Sequence, residues 1–233
     1  MSDVEHLKEQ AGIAACRFVK DGMLIGLGTG STVRYSIIEI ARLITEEGMN
    51  LIGVPTSEHT RRLSEELGIP LMKIEGSGTL DLTIDGADEF DHNFDLIKGG
   101  GGALTREKAV ALKSKSMVVV ADNTKKVEVL GAFDLPVEVD SDLWEGVREG
   151  ISRICPGQVR LRTNGSEPFE TDNHGFILDC SFGPTIADPT SLERAISDIP
   201  GVVEVGLFVG ICDAVIVASS DGIEELIKSD GRI

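Results

Sequence analysis

The sequence predicts an α/β protein: a mostly parallel sheet covered by helices, with a smaller α+β domain inserted into it. Three observations carry that expectation. Short apolar runs alternate with helical periodicities through the first half of the chain, as in a parallel sheet buried on both faces. Charged or hydroxyl-rich turns follow directly on three of those runs. After Gly131 the order becomes strand, helix, strand, strand, helix, strand, which is the order of a ferredoxin-like unit.

Taken in order, Ser2-Asp3-Val4-Glu5 has the capping-box pattern, and Val4, Leu7, Ala11, Ala14 and Phe18 follow at helical spacing. Asp21-Gly22 stops that helix, and Met23 to Leu27 forms a buried strand. The turn Gly26-Leu27-Gly28-Thr29-Gly30-Ser31-Thr32 leads into a helix over Val33 to Glu46. Leu51 to Val54 is a strand, Ser57 caps a helix ending at Gly68, and Ile69 to Ile74 is a further strand. Leu82 to Ile84 leads into a tight turn with Asp85 and Asp88 around Gly86. The apolar patch Phe94 to Ile97 delivers Lys98 to four consecutive glycines, and a helix runs from Ala103 to Lys113. Met117 to Ala121 is a β-type run that ends in Asp122-Asn123-Thr124-Lys125.

The second half reads Leu135 to Val139 as a strand, Ser141 to Ile154 as a helix, and Gln158 to Arg162 and Phe176 to Phe182 as strands. Thr190 to Asp198 is a helix and Val202 to Leu207 a closing strand. A strand over Asp213 to Ala218 and a helix over Ile223 to Ile227 return to the first domain. The expected division is a Rossmann-like catalytic domain of residues 1–132 plus 208–233, and an inserted ferredoxin-like domain of residues 133–207.

Composition narrows the function. A chain of 233 residues can bury a sizeable core, and 41% apolar content is that of a globular protein. Nothing resembles a signal peptide or a membrane span, so a cytoplasmic location is expected. A net charge of −17 argues against nucleic acid as a partner. It also requires an anionic ligand to be held by local donors against the overall field. The cysteines Cys16, Cys155, Cys180 and Cys212 lack metal-type spacing, and Cys180 falls in phase with a core. His92 reads as solvent-exposed. The acids around it fit neither a calcium loop nor a zinc motif, so no metal is expected.

The chemistry gathers at the turns. A strand running through Thr29, Gly30, Ser31 and Thr32 into a helix is an anion site, because free N–H groups and the helix dipole face the ligand. No Gly-Lys-Ser/Thr ends it and Ser31 stands in place of a third fingerprint glycine, so neither a nucleotide P-loop nor a dinucleotide site is indicated. A terminal phosphate suits the short hydroxyls, and a plain N-cap turn is the alternative. Open α/β sheets bind ligands beyond the carboxyl ends of their strands, so the turns at Thr29 to Thr32, Asp85 to Asp88 and Asp122 to Lys125 are expected to share one crevice. Glu107 is then the candidate base, and Lys98 the cation for a developing oxyanion. Asp85 and Asp88 can hold hydroxyls or assist ring opening. Taken singly, Glu107 between Arg106 and Lys108 reads as a surface residue, and Lys125 as a solvated lysine.

GLGTGST, TIDGADE, IKGGGGALTREK and ADNTKK, in that order, resemble the successive motifs of the type A ribose-5-phosphate isomerase family. TDNHGFILD and DIPGVVEVGLF resemble its smaller domain, so the likeness covers nearly the whole chain. The resemblance implies that Thr29, Gly30, Ser31, Thr32 and Lys125 contact the sugar phosphate. Asp85, Gly86, Ala87 and Asp88 take the place of the family's acidic turn, and Lys98, Gly99, Gly100 and Gly101 that of its lysine–glycine segment. It further implies cofactor-free and metal-free interconversion of D-ribose 5-phosphate and D-ribulose 5-phosphate, in the non-oxidative pentose phosphate branch. Glu107 would move the proton, Asp85 assist ring opening and Lys98 stabilise the charged oxygen, in a homodimer or homotetramer. Gly102 departs from the family's alanine and is expected to loosen the loop slightly.

Two other functions fit a related fold. A sugar-phosphate-sensing binding module would need a basic helix-turn-helix segment, and this chain is acidic throughout. A coenzyme A transferase-like enzyme would use a glutamate as nucleophile, which acyl-CoA treatment followed by borohydride trapping would expose.

Overall fold

The computed structural model describes residues 3–233. Helices run over Asp3–Ala15 (α1), Val33–Glu47 (α2), Glu58–Glu66 (α3), Leu104–Leu112 (α4), Trp144–Ser152 (α5) and Pro189–Ser197 (α6). The earlier strands are Leu24–Leu27 (β1), Ile52–Pro55 (β2), Leu82–Gly86 (β3), Glu89–Phe90 (β4), Leu96–Ile97 (β5) and Met117–Asp122 (β6). Leu135–Val139 (β7), Val159–Leu161 (β8), Thr163–Asn164 (β9), Glu167–Pro168 (β10) and Phe176–Cys180 (β11) follow. Val202–Val205 (β12), Leu207–Phe208 (β13), Ala214–Ser219 (β14) and Gly222–Ile227 (β15) complete the set. Ser2 of the expected capping box lies outside the described residues.

The chain divides into two compact units. Unit one comprises Met1–Ala87, Arg106–Lys126 and Ile211–Ile233, and unit two Asp88–Thr105 and Val127–Gly210. Unit one is built on a six-stranded sheet of order β15-β14-β6-β3-β1-β2, parallel except for the edge strand β15. All six residues of β6 are buried, as its uninterrupted apolar run requires. On one face Ile25, Leu27, Ile84, Val118, Val120 and Ile216 join Ala11, Ala15, Ile37 and Ile40 of α1 and α2 in one core. Burying each such Leu or Ile is worth about 1.5–3 kcal/mol. On the other face Val54 packs with Leu80 and with Val110 of α4. Gly26 lets α4 close onto the sheet, since a Cβ there would lie 2.5 Å from Val110 Cγ1.

Two sequence expectations are corrected in unit one. Ile223 to Ile227, expected as a helix, lies in β15, which pairs antiparallel with β14 from Ser219↔Gly222 to Ala214↔Ile227. Glu224 and Glu225 favour a helix locally, but so short a segment cannot offset the cost of helix nucleation, whereas the two-residue turn hands it a ready partner strand. Ile69 to Ile74, expected as a strand, makes a single bridge from Leu71 to Gly53 before a 3₁₀ turn at Ile74–Gly76. Pro70 has no N–H to extend the ladder.

Unit two holds a four-stranded antiparallel sheet of order β12-β7-β11-β8 with α5 and α6 in its crossovers, the ferredoxin-like arrangement. Val147, Ile151 and Ile196 from the helices pack on Leu135, Val137, Val139, Leu178 and Cys180. Its limits differ from residues 133–207, because residues 88–105 belong to it as well. β5 pairs with β4 on one side and with β13 on the other in a three-stranded sheet. The buried Glu89 carboxylate accepts the Gly131 and Phe133 N–H groups at 2.8 and 2.5 Å.

Candidate functional site

Unit one gathers three of the expected turns. β6, β3 and β1 are neighbours in the sheet, and residues 29–32, Asp85 to Ala87 and Asn123–Lys125 lie at or just beyond their carboxyl ends. The first turn is fastened to the second. Thr29 N–H donates to Asp85 Oδ1 at 3.1 Å, and Gly86 N–H donates to the same oxygen at 2.7 Å. Asp85 is wholly buried, so these charge-assisted bonds fix its carboxylate. Only glycine fits at Gly28, where a Cβ would lie 2.2 Å from Asp85 Oδ1.

The Thr29 hydroxyl belongs to a cluster that sequence reading did not single out. It lies 2.8 Å from Thr56 Oγ1, donates to Ser57 Oγ at 2.8 Å, and lies 3.2 Å from Thr60 Oγ1. Thr60 and Thr56 donate in turn to the Gly28 and Leu27 carbonyls at 2.8 and 3.0 Å. Ser57 caps α3 as expected, accepting the Thr60 N–H at 3.0 Å. Thr29 is thus part of the framework of its own turn. Gly30 and Ser31 are exposed and Thr32 half-buried, directly before the fifteen-residue α2. The signal was present in the sequence: hydroxyls at Thr56, Ser57 and Thr60 mark the junction of a strand with a helix.

Glu107 is not a surface residue. It is 4% exposed, in the first turn of α4. Val110, one turn later, packs beside Gly26, and Ser114 just after the helix bridges to Leu80 before β3. α4 therefore runs against the strands and starts at their carboxyl end. Arg106 pairs instead with Glu58 at 3.1 Å. Bonds from Arg61 and then Arg106 hold the Glu58 carboxyl below the ordinary carboxylate range. Lys125 is half-buried and ends the 3₁₀ turn after β6, where Asp122 accepts the Thr124 N–H at 2.9 Å.

Unit two holds the other candidates. Lys98 is 2% exposed, with Nζ 5.4 Å from the centre of the Phe208 ring. Its N–H donates to the Gly206 carbonyl at 2.9 Å. Asp88 Oδ2 accepts the Gly100 N–H at 2.7 Å, and a Cβ on Gly100 would lie 2.5 Å from Asp88 Oδ1. Gly101 is exposed. Gly99 and Gly102 have φ of +106° and +80°, which glycine alone adopts without cost. Gly102 does not loosen the loop. Its N–H donates to the Gly99 carbonyl at 2.9 Å, and Phe169 fills the space of a Cβ, with a ring carbon 2.5 Å away. His92, exposed as expected, has Nδ1 3.3 Å from the Glu128 carbonyl oxygen.

Comparison with known proteins finds similar chains and folds. The model of the family described as ribose 5-phosphate isomerase A (phosphoriboisomerase A) matches residues 52–222. The ribose-5-phosphate isomerase A of Brucella suis biovar 1 is 48% identical over 237 residues, covering 98% of this chain and all of the relative. The ribose 5-phosphate isomerase structure from Plasmodium falciparum superposes with a TM-score of 0.93 at 35% identity, over 97% of this chain and 99% of that one. A D-ribose-5-phosphate isomerase solved in complex with phospho-erythronic acid gives a TM-score of 0.92 at 38% identity, over 96% and 99%.

Proposed function

The chain belongs to the ribose 5-phosphate isomerase A family, and from that premise we propose that it interconverts D-ribose 5-phosphate and D-ribulose 5-phosphate, with Glu107 as the base. The reaction is an aldose–ketose isomerisation. The observation that carries the assignment of the base is the burial of Glu107 at the start of α4, at the sheet end that also holds Asp85 and the turn at residues 29–32. The structural relative with bound phospho-erythronic acid supports a phosphorylated, sugar-like ligand.

In unit one the start of α2, with Gly30, Ser31 and Thr32, receives the phosphate, and Lys125 adds a positive charge. Thr29 serves through the shape of that turn. Asp85, held by two backbone N–H groups, assists ring opening, with Gly86 and Ala87 lining the acidic turn. Glu107 removes the proton from C2 of the open aldose, leaving an enediolate; the hydroxyl proton passes from O2 to O1, and Glu107 returns its proton to C1 to give the ketose. In unit two Lys98 stabilises the enediolate oxygen, while Asp88, Gly99, Gly100 and Gly101 present hydroxyl acceptors and bare backbone to the sugar. No metal or cofactor enters this scheme.

The protein works in the cytoplasm as a homodimer or homotetramer. Burial of Cys16 and Cys180 raises both thiols and leaves them unreactive. Among the described residues, no helix is long and apolar enough to cross a membrane. The direct test is a coupled assay of purified protein with EDTA present. Turnover of ribose 5-phosphate to the ketose is expected, and its absence would sink the assignment. Light scattering on the eluting protein reads the subunit number.

A further inference from the structure

We infer that Arg162, outside every motif of the proposed chemistry, is a positioning residue that holds the glycine run following Lys98. The inference rests on the proposed role of Lys98. Arg162 Nη1 donates to the Gly99 carbonyl at 2.8 Å and to the Gly100 carbonyl at 3.1 Å. Asp179 fixes the rest of the guanidinium, accepting Nε at 3.0 Å and Nη2 at 2.5 Å. Both side chains are largely buried, at 15% and 21% exposure. The guanidinium carbon lies 5.8 Å from the centre of the Phe169 ring, the ring that fills the place of a Cβ on Gly102.

The run is therefore held from two sides. Arg162 takes the carbonyls of Gly99 and Gly100, while Asp88 takes the N–H of Gly100. Four glycines in a row have more backbone freedom than any other four residues, and rotation of either carbonyl would turn the chain that leaves Lys98. Only arginine suits the position: its planar fork can serve two carbonyls and a carboxylate at once, whereas a lysine ammonium is a point charge. A cation displaced by about 1 Å from a developing oxyanion can lose on the order of 10²-fold in rate.

The test combines kinetics with amide hydrogen exchange on Arg162→Ala, Arg162→Lys and Asp179→Asn in the full chain. Arg162→Ala is expected to lower kcat by about 10- to 100-fold, with KM changed far less. Exchange at Gly99 to Gly102 should quicken while that of β7 and β11 stays as in the wild type. Arg162→Lys should fail to restore kcat, added guanidinium should restore part of it to Arg162→Ala, and Asp179→Asn should fall between. A kcat within about twofold of wild type, or unchanged exchange in the glycine run, overturns the inference. If Arg162→Ala does not fold, Arg162→Lys and Asp179→Asn decide by the same two readouts. Wild-type protein that turns over no ribose 5-phosphate would refute the proposed function instead, and the exchange data would still report on the loop.

Discussion

Two glycine-bearing loops in this chain are held by different balances of crowding and torsion. The turn at residues 26–32 in unit one is fixed mainly by crowding: Gly26 and Gly28 have no room for a Cβ beside Val110 and Asp85, neighbouring hydroxyls lock Thr29, and torsion enters at Gly30, with φ of +137°. The run at residues 99–102 in unit two is fixed by torsion and by distant side chains. Gly99 and Gly102 take left-handed φ values, and Arg162 and Asp88 hold the backbone between them. A glycine chosen for space and a glycine chosen for conformation look alike in a sequence, yet they fail differently when replaced.

Substitutions can break or sharpen that contrast, and the largest effects belong to the side chains beside the loops. Glu107→Gln should bind sugar phosphate and lose about 10²–10⁴ in kcat; near wild-type turnover would remove Glu107 as the base. Lys98→Ala should cost about 10²–10³ in kcat, with a smaller change in affinity measured by calorimetry. A change confined to affinity would make it a binding residue.

Gly28→Ala tests the crowded loop. It should cost about 1–3 kcal/mol of stability and lower activity too, because the side chain it displaces is Asp85. Thermal unfolding and the coupled assay together read both. Gly102→Ala tests the other loop and should cost about 1–2 kcal/mol for the left-handed backbone, and more because the Phe169 ring, 2.5 Å from a Cβ there, must also move. Its cost should appear in the melting temperature more than in KM; equal losses in both variants would erase the distinction.

The smallest effect lies away from both loops. Burial pushes the Asp213 carboxyl up, but bonds from Arg232 and from the Met117 N–H outweigh it, leaving the group below the ordinary carboxylate range. A folded value below the unfolded one, about 3.9, gives stability that is full above that pH and fades as pH falls through the folded value. Asp213→Asn should therefore cost about 1 kcal/mol at pH 7, discounted for the half-exposed Arg232. Denaturant unfolding at pH 7 and pH 3 should show the gap closing in acid, with turnover at pH 7 unchanged.

Local patterns made much of this legible. The continuous apolar run of β6 and the order of strands and helices after Gly131 announced the parallel sheet and the ferredoxin-like unit, because burial on both faces leaves no polar alternation. The charged motifs alone single out Asp85, Lys98, Glu107 and Lys125, since their chemistry is carried by residue type and spacing. Burial of Glu107 was decided only by packing, for its flanking charges are those of an exposed helix. So was the fate of Gly222–Ile227, where a partner strand overrode helix propensity. The attachment of residues 88–105 to unit two rests on two-residue strands too short to leave a pattern. Arg162 meets Gly99 across 63 residues of sequence, and no local periodicity encodes a contact made by one side chain at that separation. The sequence by itself determined which chemical groups this protein carries and the sheet that bears them; only the tertiary structure decided which of those groups are buried and what holds them still.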